Sequence, residues 1–227
     1  MHAFGSMRQV FGALALTVAG ASAAHAQVAW TDWTQTGSNA VFGTLVSGSN
    51  TVGVNFSGAY SFAQTSCGTD YWAASTFPAT YGANATQAPP GCDIIALNSG
   101  GPKTITFSQA VVNPLIALVS WNNQPIVTFS APLQIVAQGC GYWGCGNIAV
   151  SGSALSASGE AHGTIRLVGT YNQISFTDGS ENWHGISVGV ESVAAPVTAT
   201  PEPASLVLMG SGLLGVMGVA RRRRRSA

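Results

Sequence analysis

Residues 103–121, KTITFSQAVVNPLIALVSW, decide the fold that this sequence predicts. The first part, Lys103–Phe107, alternates polar and apolar side chains, which is typical of a strand with one buried face. The second part, Leu115–Trp121, contains a continuous apolar run, as expected of a strand at the centre of a core. Asn113-Pro114 separates the two parts. We therefore predict two β-strands within this segment.

The same kind of pattern continues on both sides of the segment. Ile174-Ser175-Phe176 and Ile186–Val190 alternate in the same way, and no stretch after residue 26 and before the C-terminal apolar run keeps a helical period. The ten predicted strands are Val28–Thr34, Val41–Val46, Thr51–Phe56, Lys103–Phe107, Leu115–Trp121, Ile126–Phe129, Leu133–Ala137, Thr164–Val168, Gln173–Thr177 and Gly185–Glu191. This pattern predicts an all-β fold, an antiparallel β-sandwich that is jelly-roll-like.

The N-terminus has the features of a secretory signal peptide. Arg8 supplies a positive charge, an apolar stretch covers residues 10–21, and Ala24-His25-Ala26 provides a small-x-small cleavage site. We predict a signal peptide with an N-terminal signal helix over residues 1–26, so the mature chain begins at Gln27.

The C-terminus combines a proline motif, an apolar run and a basic cluster. Pro201-Glu202-Pro203 precedes Ala204–Ala220, which contains neither charge nor proline. As a helix this run spans about 25 Å, close to the roughly 30 Å of a bilayer core. The basic cluster that follows is Arg221, Arg222, Arg223, Arg224 and Arg225. Because positive flanks stay in the cytoplasm, we predict a C-terminal transmembrane helix at 204–220 with the preceding domain outside.

This tail resembles the PEP-CTERM sorting signal of Gram-negative bacteria over residues 200–225. The resemblance implies that Pro201, Glu202 and Pro203 are recognised by an exosortase-type processing enzyme. It also implies an inner-membrane precursor that is later delivered to the cell surface, in a bacterium that makes exopolysaccharide and biofilm. The alternative is an ordinary single-span membrane anchor. Residues 193–199, rich in small residues and proline, form the predicted linker, which leaves residues 27–192 as the β-sandwich domain.

The distribution of charge argues against nucleic acid as a partner. Between residues 27 and 203 the only basic residues are Lys103 and Arg166, whereas all eight acidic residues lie there. The formal charge of this interval is therefore −6. Such a surface cannot neutralise phosphates.

The chain has four cysteines, an even number in a protein predicted to be exported, which favours disulfides. Three pairings are open, and the most economical joins Cys67 to Cys92 and Cys140 to Cys145. A four-cysteine zinc site is the alternative, but the spacing differs from that of zinc ribbons. Cys67 and Cys92 lie in a long segment, Ser66–Gly101, that interrupts the strand pattern; loops of this length are functional or disordered, and a disulfide favours order.

The best cluster of titratable residues is Glu160, His162, Asp178, Glu181 and His184. If the strands that carry them pair, both histidines would approach the carboxylates and form a divalent-metal or sugar site. The alternative is a polar turn with two histidines hydrogen-bonded at strand ends, since DGSEN is ordinary turn chemistry and lacks calcium-loop spacing. We favour the turn and predict neither a metal nor a cofactor.

Aromatic residues in glycine-rich segments are the other candidates. Trp72, Trp143 and Trp183, together with His184, form the predicted glycan-binding set, because aromatic faces stack on sugar rings. Core packing is the alternative for each of them. Gly141-Tyr142-Trp143-Gly144 and Trp183-His184-Gly185 also resemble motifs of a β-rich domain in other exported proteins with this tail, which implies a fold and no activity.

The sequence contains no nucleophile elbow, HExxH motif, phosphate loop or dinucleotide fingerprint. We therefore expect no catalytic residues and a non-enzymatic surface or matrix protein, with exopolysaccharide as its candidate partner. The alternative is a secreted glycan-active hydrolase, in which Glu160, Asp178 or Glu181 would act as acid or base.

Overall fold

The protein is described by a computed structural model over residues 27–73, 75–83, 87–122 and 126–194. The predicted signal peptide, the linker beyond Ala194 and the whole C-terminal tail lie outside these residues. Within them the chain forms fourteen strands, all paired antiparallel, which confirms the all-β prediction. The strands are β1 Ala29–Trp30, β2 Asp32–Gly37, β3 Ala40–Ser47, β4 Asn50–Ser57, β5 Phe62–Gln64, β6 Ile94–Leu97, β7 Gly101–Trp121, β8 Val127–Phe129, β9 Leu133–Gly139, β10 Asn147–Ser151, β11 Ala154–Ser158, β12 Ala161–Leu167, β13 Thr170–Asp178 and β14 His184–Val193.

Residues 103–121 belong to one strand rather than to the two that were predicted. β7 is 21 residues long and runs through Asn113-Pro114 without ending. Asn113 has a φ of 49°, in the left-handed region that asparagine tolerates better than most residues. Its side-chain oxygen accepts a hydrogen bond from the Gly169 amide at 3.1 Å. The predicted break between two strands is therefore a bend within one strand, and the hydrogen bond with Gly169, which lies just before β13, holds it.

This bend lets β7 belong to two sheets. Its first half pairs with β4 and β13, and its second half pairs with β12 and β14. The first sheet has the order β2-β3-β4-β7-β13-β8-β11-β10, and the second has β9-β12-β7-β14-β6-β5, with β1 also paired to β14. Fourteen strands thus form one hydrogen-bonded network arranged as a sandwich.

The main core lies between the two sheets. Ile105 and Phe107 face it from the first half of β7, and Ile116 and Leu118 face it from the second half. The inward positions change from odd to even numbers across the bend, because side chains alternate along a strand and the bend reverses the alternation. Other strands contribute to the same cluster, with Trp33, Val41, Phe56, Ile165 and Val188 among its buried residues.

The segment 65–93 is called here the long loop, and its described residues cover the outer face of the second sheet. Trp72 and Tyr81 from this loop pack against Ile94, Ala117 and Val119. The second sheet is therefore buried on both faces, which explains the continuous apolar run in β7. The described part of the long loop packs through a small core of its own, and the loop ends earlier than predicted, because residues 94–97 form β6.

The hairpin of β10 and β11 was not among the predicted strands. These strands consist mainly of Ala, Ser and a few larger apolar residues, so their alternation is weak. A tight turn joins them, with Gly152 at a φ of 61°. Pairing with β8 places Leu155 in the main core, which stabilises a strand with little intrinsic preference.

Candidate functional site

A cavity of about 440 Å³ opens at one end of the second sheet, and we call it the acidic cavity. Its volume falls within the roughly 300–1,000 Å³ of typical small-molecule sites. The residues that line it are Ser120, Asn122, Trp143, Glu160, Glu181, Asn182 and Trp183.

The antiparallel pairing of β7 with both neighbours creates this site. β7 ends beside the start of β12, where Trp121 faces Ala161, and beside the start of β14, where Val119 faces Gly185. Glu160 and Glu181 precede those two strands. Two carboxylates that are 21 positions apart in sequence therefore approach the same end of β7.

Ser120 occupies a β-bulge at this end. Between Leu118 and Trp121 the strand advances three residues, while its partner β12 advances only two. Ser120 has a φ of 58°, which is unfavourable for a residue other than glycine. Bulges of this kind redirect side chains, and the Ser120 hydroxyl donates a hydrogen bond to the Glu160 carboxylate. The strained backbone thus helps to position a residue that lines the acidic cavity.

Asn122 connects the two carboxylates. Its side-chain Nδ2 donates to Glu160 Oε1 at 2.8 Å, and its backbone N–H donates to Glu181 Oε2 at 3.3 Å. Both glutamates are only partly buried. Their orientation towards the acidic cavity is therefore fixed by neutral donors at the end of β7.

A chain of buried charges lies behind Glu181. Its carboxylate Oε1 is 3.1 Å from His184 Nδ1, and His184 Nε2 is 3.1 Å from Asp178 Oδ2. Asp178 Oδ1 in turn lies 2.8 Å from the ammonium of Lys103. The side chains of Lys103, Asp178 and His184 are at most 1% exposed.

The pKa of His184 is raised above its ordinary value. Burial lowers this pKa, but the hydrogen bonds and charges of Asp178 and Glu181 raise it by more. A protonated imidazole donates through both ring nitrogens, which fits carboxylate partners on both sides. His184 therefore couples the buried Lys103–Asp178 pair to a residue of the cavity wall.

His162 does not join this chain. It is fully buried, and its Nδ1 lies 3.3 Å from the Tyr81 hydroxyl and 3.4 Å from the Ser120 backbone N–H. Burial lowers the pKa of His162 to about 4, against the opposing effect of Glu160. The ring is neutral at pH 7, and Nδ1 is the acceptor for the Ser120 N–H.

The arrangement in which both histidines share the carboxylates is therefore not formed, whereas the favoured prediction, two histidines hydrogen-bonded at strand ends, matches what each histidine does. β12 and β14 do not pair with each other but flank β7, so His184 reaches Asp178 and Glu181 while His162 points to the long loop. Among the residues that the structure describes, no three His, Cys, Asp or Glu side chains are grouped to hold a metal ion.

Two tryptophans form the aromatic wall of the acidic cavity. The rings of Trp143 and Trp183 are 4.7 Å apart and nearly perpendicular. Tyr71 from the long loop supports both, with ring centroids 5.5 Å from Trp143 and 5.1 Å from Trp183. Trp143 remains 46% exposed, so a large aromatic surface is available next to the carboxylates.

Both disulfides join the expected partners, Cys67 to Cys92 and Cys140 to Cys145. The first closes the long loop that carries Tyr71. The second closes a short turn in which the Gly141 N–H donates to Gly144 C=O at 2.8 Å. The tip of this turn presents Trp143 to the acidic cavity.

The short turn also packs against the fold beneath it. A Cβ atom added at Gly141 would lie 2.3 Å from the His162 ring, so only glycine fits there. His162 thus supports the turn from below.

Of the four residues predicted to bind a glycan, two line the acidic cavity and two do not. Trp143 and Trp183 are in its wall. Trp72 is 1% exposed, and its Nε1 donates to the Asp93 carbonyl at 3.1 Å, so this tryptophan belongs to the core under the long loop. His184 is fully buried and cannot touch a ligand at the surface.

Sequence reasoning missed three cavity residues, which are Ser120, Asn122 and Asn182. Ser120 and Asn122 stand at the end of the central strand β7. The change from apolar to polar residues after Val119 is the feature of the sequence that could have indicated them. Asn182 lies within the turn that was already identified as polar. No pattern in the sequence shows that these two places meet, because the pairing register brings them together.

The comparisons with known proteins concern the tail. Residues 199–225 match the model of the PEP-CTERM protein-sorting motif, and these residues lie outside the part of the chain that the structure describes. Neither a curated protein nor a solved structure matches the chain. Within the described ranges, no helix has the length and hydrophobicity needed to cross a membrane. The chain thus carries a PEP-CTERM sorting motif, which implies exosortase-dependent export to the cell surface from a membrane-anchored precursor.

Proposed function

We propose that the exported domain is a non-enzymatic surface or matrix module that binds exopolysaccharide through the acidic cavity. The observation that carries this proposal is the position of Trp143 and Trp183 beside convergent polar side chains. A sugar ring has an apolar face that packs on an aromatic ring and hydroxyl groups that need hydrogen-bond partners. The acidic cavity offers both kinds of contact side by side.

The preorganisation of the wall supports binding. The Cys140–Cys145 turn and Tyr71 hold Trp143, while Asn122 orients Glu160 and Glu181. A site that is already ordered loses less conformational entropy when a ligand binds.

The positions of the basic residues argue against nucleic acid as the partner. Lys103 is buried against Asp178, and Arg166 is paired with Glu191. Phosphate binding needs several unpaired cations on one surface, and these two residues, one buried and one already paired with a carboxylate, do not provide them.

For the precursor, we propose a signal peptide over residues 1–26 and an inner-membrane helix over residues 204–220. The Arg221–Arg225 cluster would remain in the cytoplasm until the tail is processed. Cleavage near Pro201-Glu202-Pro203 would then release the domain to the surface.

The test is a pull-down of the mature exported protein with the exopolysaccharide of its producer. Trp143→Ala should reduce the bound fraction strongly, by about tenfold in affinity if one stacked ring contributes roughly 1.4 kcal/mol. Phe42→Ala is a matched control, because Phe42 is an exposed aromatic residue on a strand of the first sheet. Equal retention of wild type and Trp143→Ala would refute the proposal, provided that both unfold at the same temperature.

A second candidate is a glycan-active hydrolase, because Glu160 and Glu181 line one cavity. Two carboxylates that flank a glycosidic bond are the usual machinery of glycoside hydrolysis. An assay for new reducing ends separates the candidates. The binding module releases none, whereas a hydrolase releases them and loses this activity in Glu160→Gln and Glu181→Gln.

A further inference from the structure

The charges around the acidic cavity do not balance. Asp178 is paired with Lys103, and Glu181 lies 3.1 Å from His184, whose pKa is raised by the hydrogen bonds and charges of Asp178 and Glu181. Glu160 forms hydrogen bonds only with neutral donors, the Ser120 hydroxyl and the Asn122 amide, and no ion pair of Glu160 occurs within the described ranges. Three carboxylates thus face one ammonium and one imidazole, and the carboxylate without an ionic partner, Glu160, lies at the wall of the acidic cavity.

In the part of the chain that the structure describes, no basic side chain is placed to receive an anionic ligand there. Lys103 is 1% exposed and lies behind Asp178. Arg166 is six positions along β12 from Glu160, about 20 Å at the rise of a strand, and it is paired with Glu191. The sequence has no other Lys or Arg between residues 27 and 203. An acidic sugar would meet uncompensated repulsion in this cavity.

The Glu160 carboxylate keeps capacity for further donors. Its Oε1 accepts one hydrogen bond from Asn122, and its Oε2 accepts one from Ser120. Each carboxylate oxygen has two acceptor sites, so both oxygens can take another donor. Hydrogen bonds between an ammonium and a carboxylate are about twice as strong as neutral ones.

The aromatic wall favours the same kind of ligand. An ammonium group near the face of a tryptophan is attracted by the electrons of the ring. Trp143 and Trp183 line the acidic cavity together with Glu160. A sugar ring on the tryptophans would thus present an amino substituent to a carboxylate and to an aromatic face at once.

We propose that the acidic cavity selects a glycan unit with a protonated amino group, an amino sugar that lacks its acetyl group. This inference rests on the proposed function and names the class of sugar that the site takes. Neutral and N-acetylated sugars can stack on the wall but leave Glu160 uncompensated. Uronic acids are excluded by repulsion.

The experiment measures the binding of the mature exported protein to three short oligosaccharides by titration calorimetry. They are an oligomer of glucosamine, its fully N-acetylated counterpart and an oligogalacturonate, at mildly acidic pH, where the amines are protonated. The glucosamine oligomer should bind at least about tenfold more tightly than the N-acetylated one, which corresponds to about 1.4 kcal/mol. Added salt should reduce this preference.

Two variants locate the effect. Glu160→Gln should remove the preference for the amine while keeping the binding of the N-acetylated oligomer. Asp32→Asn is the matched control, because it removes one charge at an exposed position on β2 and should keep the preference. A preference that survives in Glu160→Gln, or that disappears equally in Asp32→Asn, would overturn the inference.

The failure of this inference differs from the failure of the proposed function. Equal binding of the amino and N-acetylated oligomers, both sensitive to Trp143→Ala, overturns the amine preference and leaves glycan binding intact. Preferred binding of the oligogalacturonate would likewise overturn the amine preference and leave glycan binding intact. A protein that retains neither these oligomers nor the exopolysaccharide of its producer refutes both proposals.

Discussion

His184 Nδ1 lies 3.1 Å from the Glu181 carboxylate, so a fully buried imidazole supports a residue that lines the acidic cavity. On its other side the same ring contacts Asp178, which binds the buried Lys103. The polar interior of the sandwich and the candidate binding site therefore form one connected system. Changes made deep in the core should be detectable at the cavity.

The buried Lys103–Asp178 pair should contribute more to stability than the partly exposed Arg166–Glu191 pair. Lys103→Met removes the ammonium partner of Asp178 and leaves that buried carboxylate with His184 alone, which should lower the free energy of unfolding by about 3–5 kcal/mol. Arg166→Met is the matched control, and the expected loss is about 1 kcal/mol or less. Urea unfolding of both variants measures the difference. Similar losses would contradict the idea that Lys103 compensates a buried charge.

The stabilising effect of His184 should depend on pH. Because its folded-state pKa is raised, its contribution is complete below the unfolded value of about 6.5 and is lost as the pH rises through the folded pKa. The stability advantage of wild type over His184→Gln should therefore shrink above about pH 6.5. Denaturant unfolding of both proteins across a pH series gives this difference. The pKa of His162 is about 4, and its titration cancels because both proteins contain this residue. An advantage that grows with pH would show that the sign is wrong.

The two disulfides should differ in what they contribute. Cys67–Cys92 closes a loop with a sequence separation of 25 residues and Cys140–Cys145 one of 5. The chain-entropy model then gives about 3.5 and about 2 kcal/mol. The double serine variant of the first pair should be the less stable one in thermal unfolding.

Loss of the short disulfide should instead affect binding, because its turn carries Trp143. We expect Cys140→Ser/Cys145→Ser to remain folded and to bind exopolysaccharide more weakly. The thiol content of the wild-type protein is the preliminary check, since alkylation without reductant should modify no cysteine. Unchanged binding by the double variant would show that the turn does not need its disulfide to place the ring.

The C-terminal tail, which matches the sorting motif over residues 199–225, should be removed during export. In a host with the cognate exosortase, wild-type protein at the cell surface should lack the segment after Pro203. Glu202→Ala should leave the apolar run and the arginines unchanged and still block processing, so that the tail is retained in the membrane fraction. C-terminal peptide mapping of both fractions measures this. An intact tail on wild-type protein at the surface would identify a simple anchor.

Particular residues show how far the sequence alone could lead. The alternation in Lys103–Phe107 and in β14 correctly predicted strands, and the even cysteine count led to the disulfides that the structure contains. Trp143 and Trp72 stand in similar glycine-containing segments, yet Trp143 lines the acidic cavity and Trp72 is buried in the core. Their difference in burial depends on what lies beneath each segment, and local sequence does not contain that information.

The all-β class, the presence of disulfides and the sorting motif were determined by the sequence itself, because each depends on local composition, an even cysteine count or a short linear pattern. The joining of two predicted strands into β7, the meeting of Glu160 with Glu181 and the burial of Lys103 against Asp178 were decided only by the tertiary structure. These features depend on which strands pair and in which register. Pairing is chosen by burial summed over distant residues, since a shift of one residue would turn every inward side chain of a strand to the opposite face.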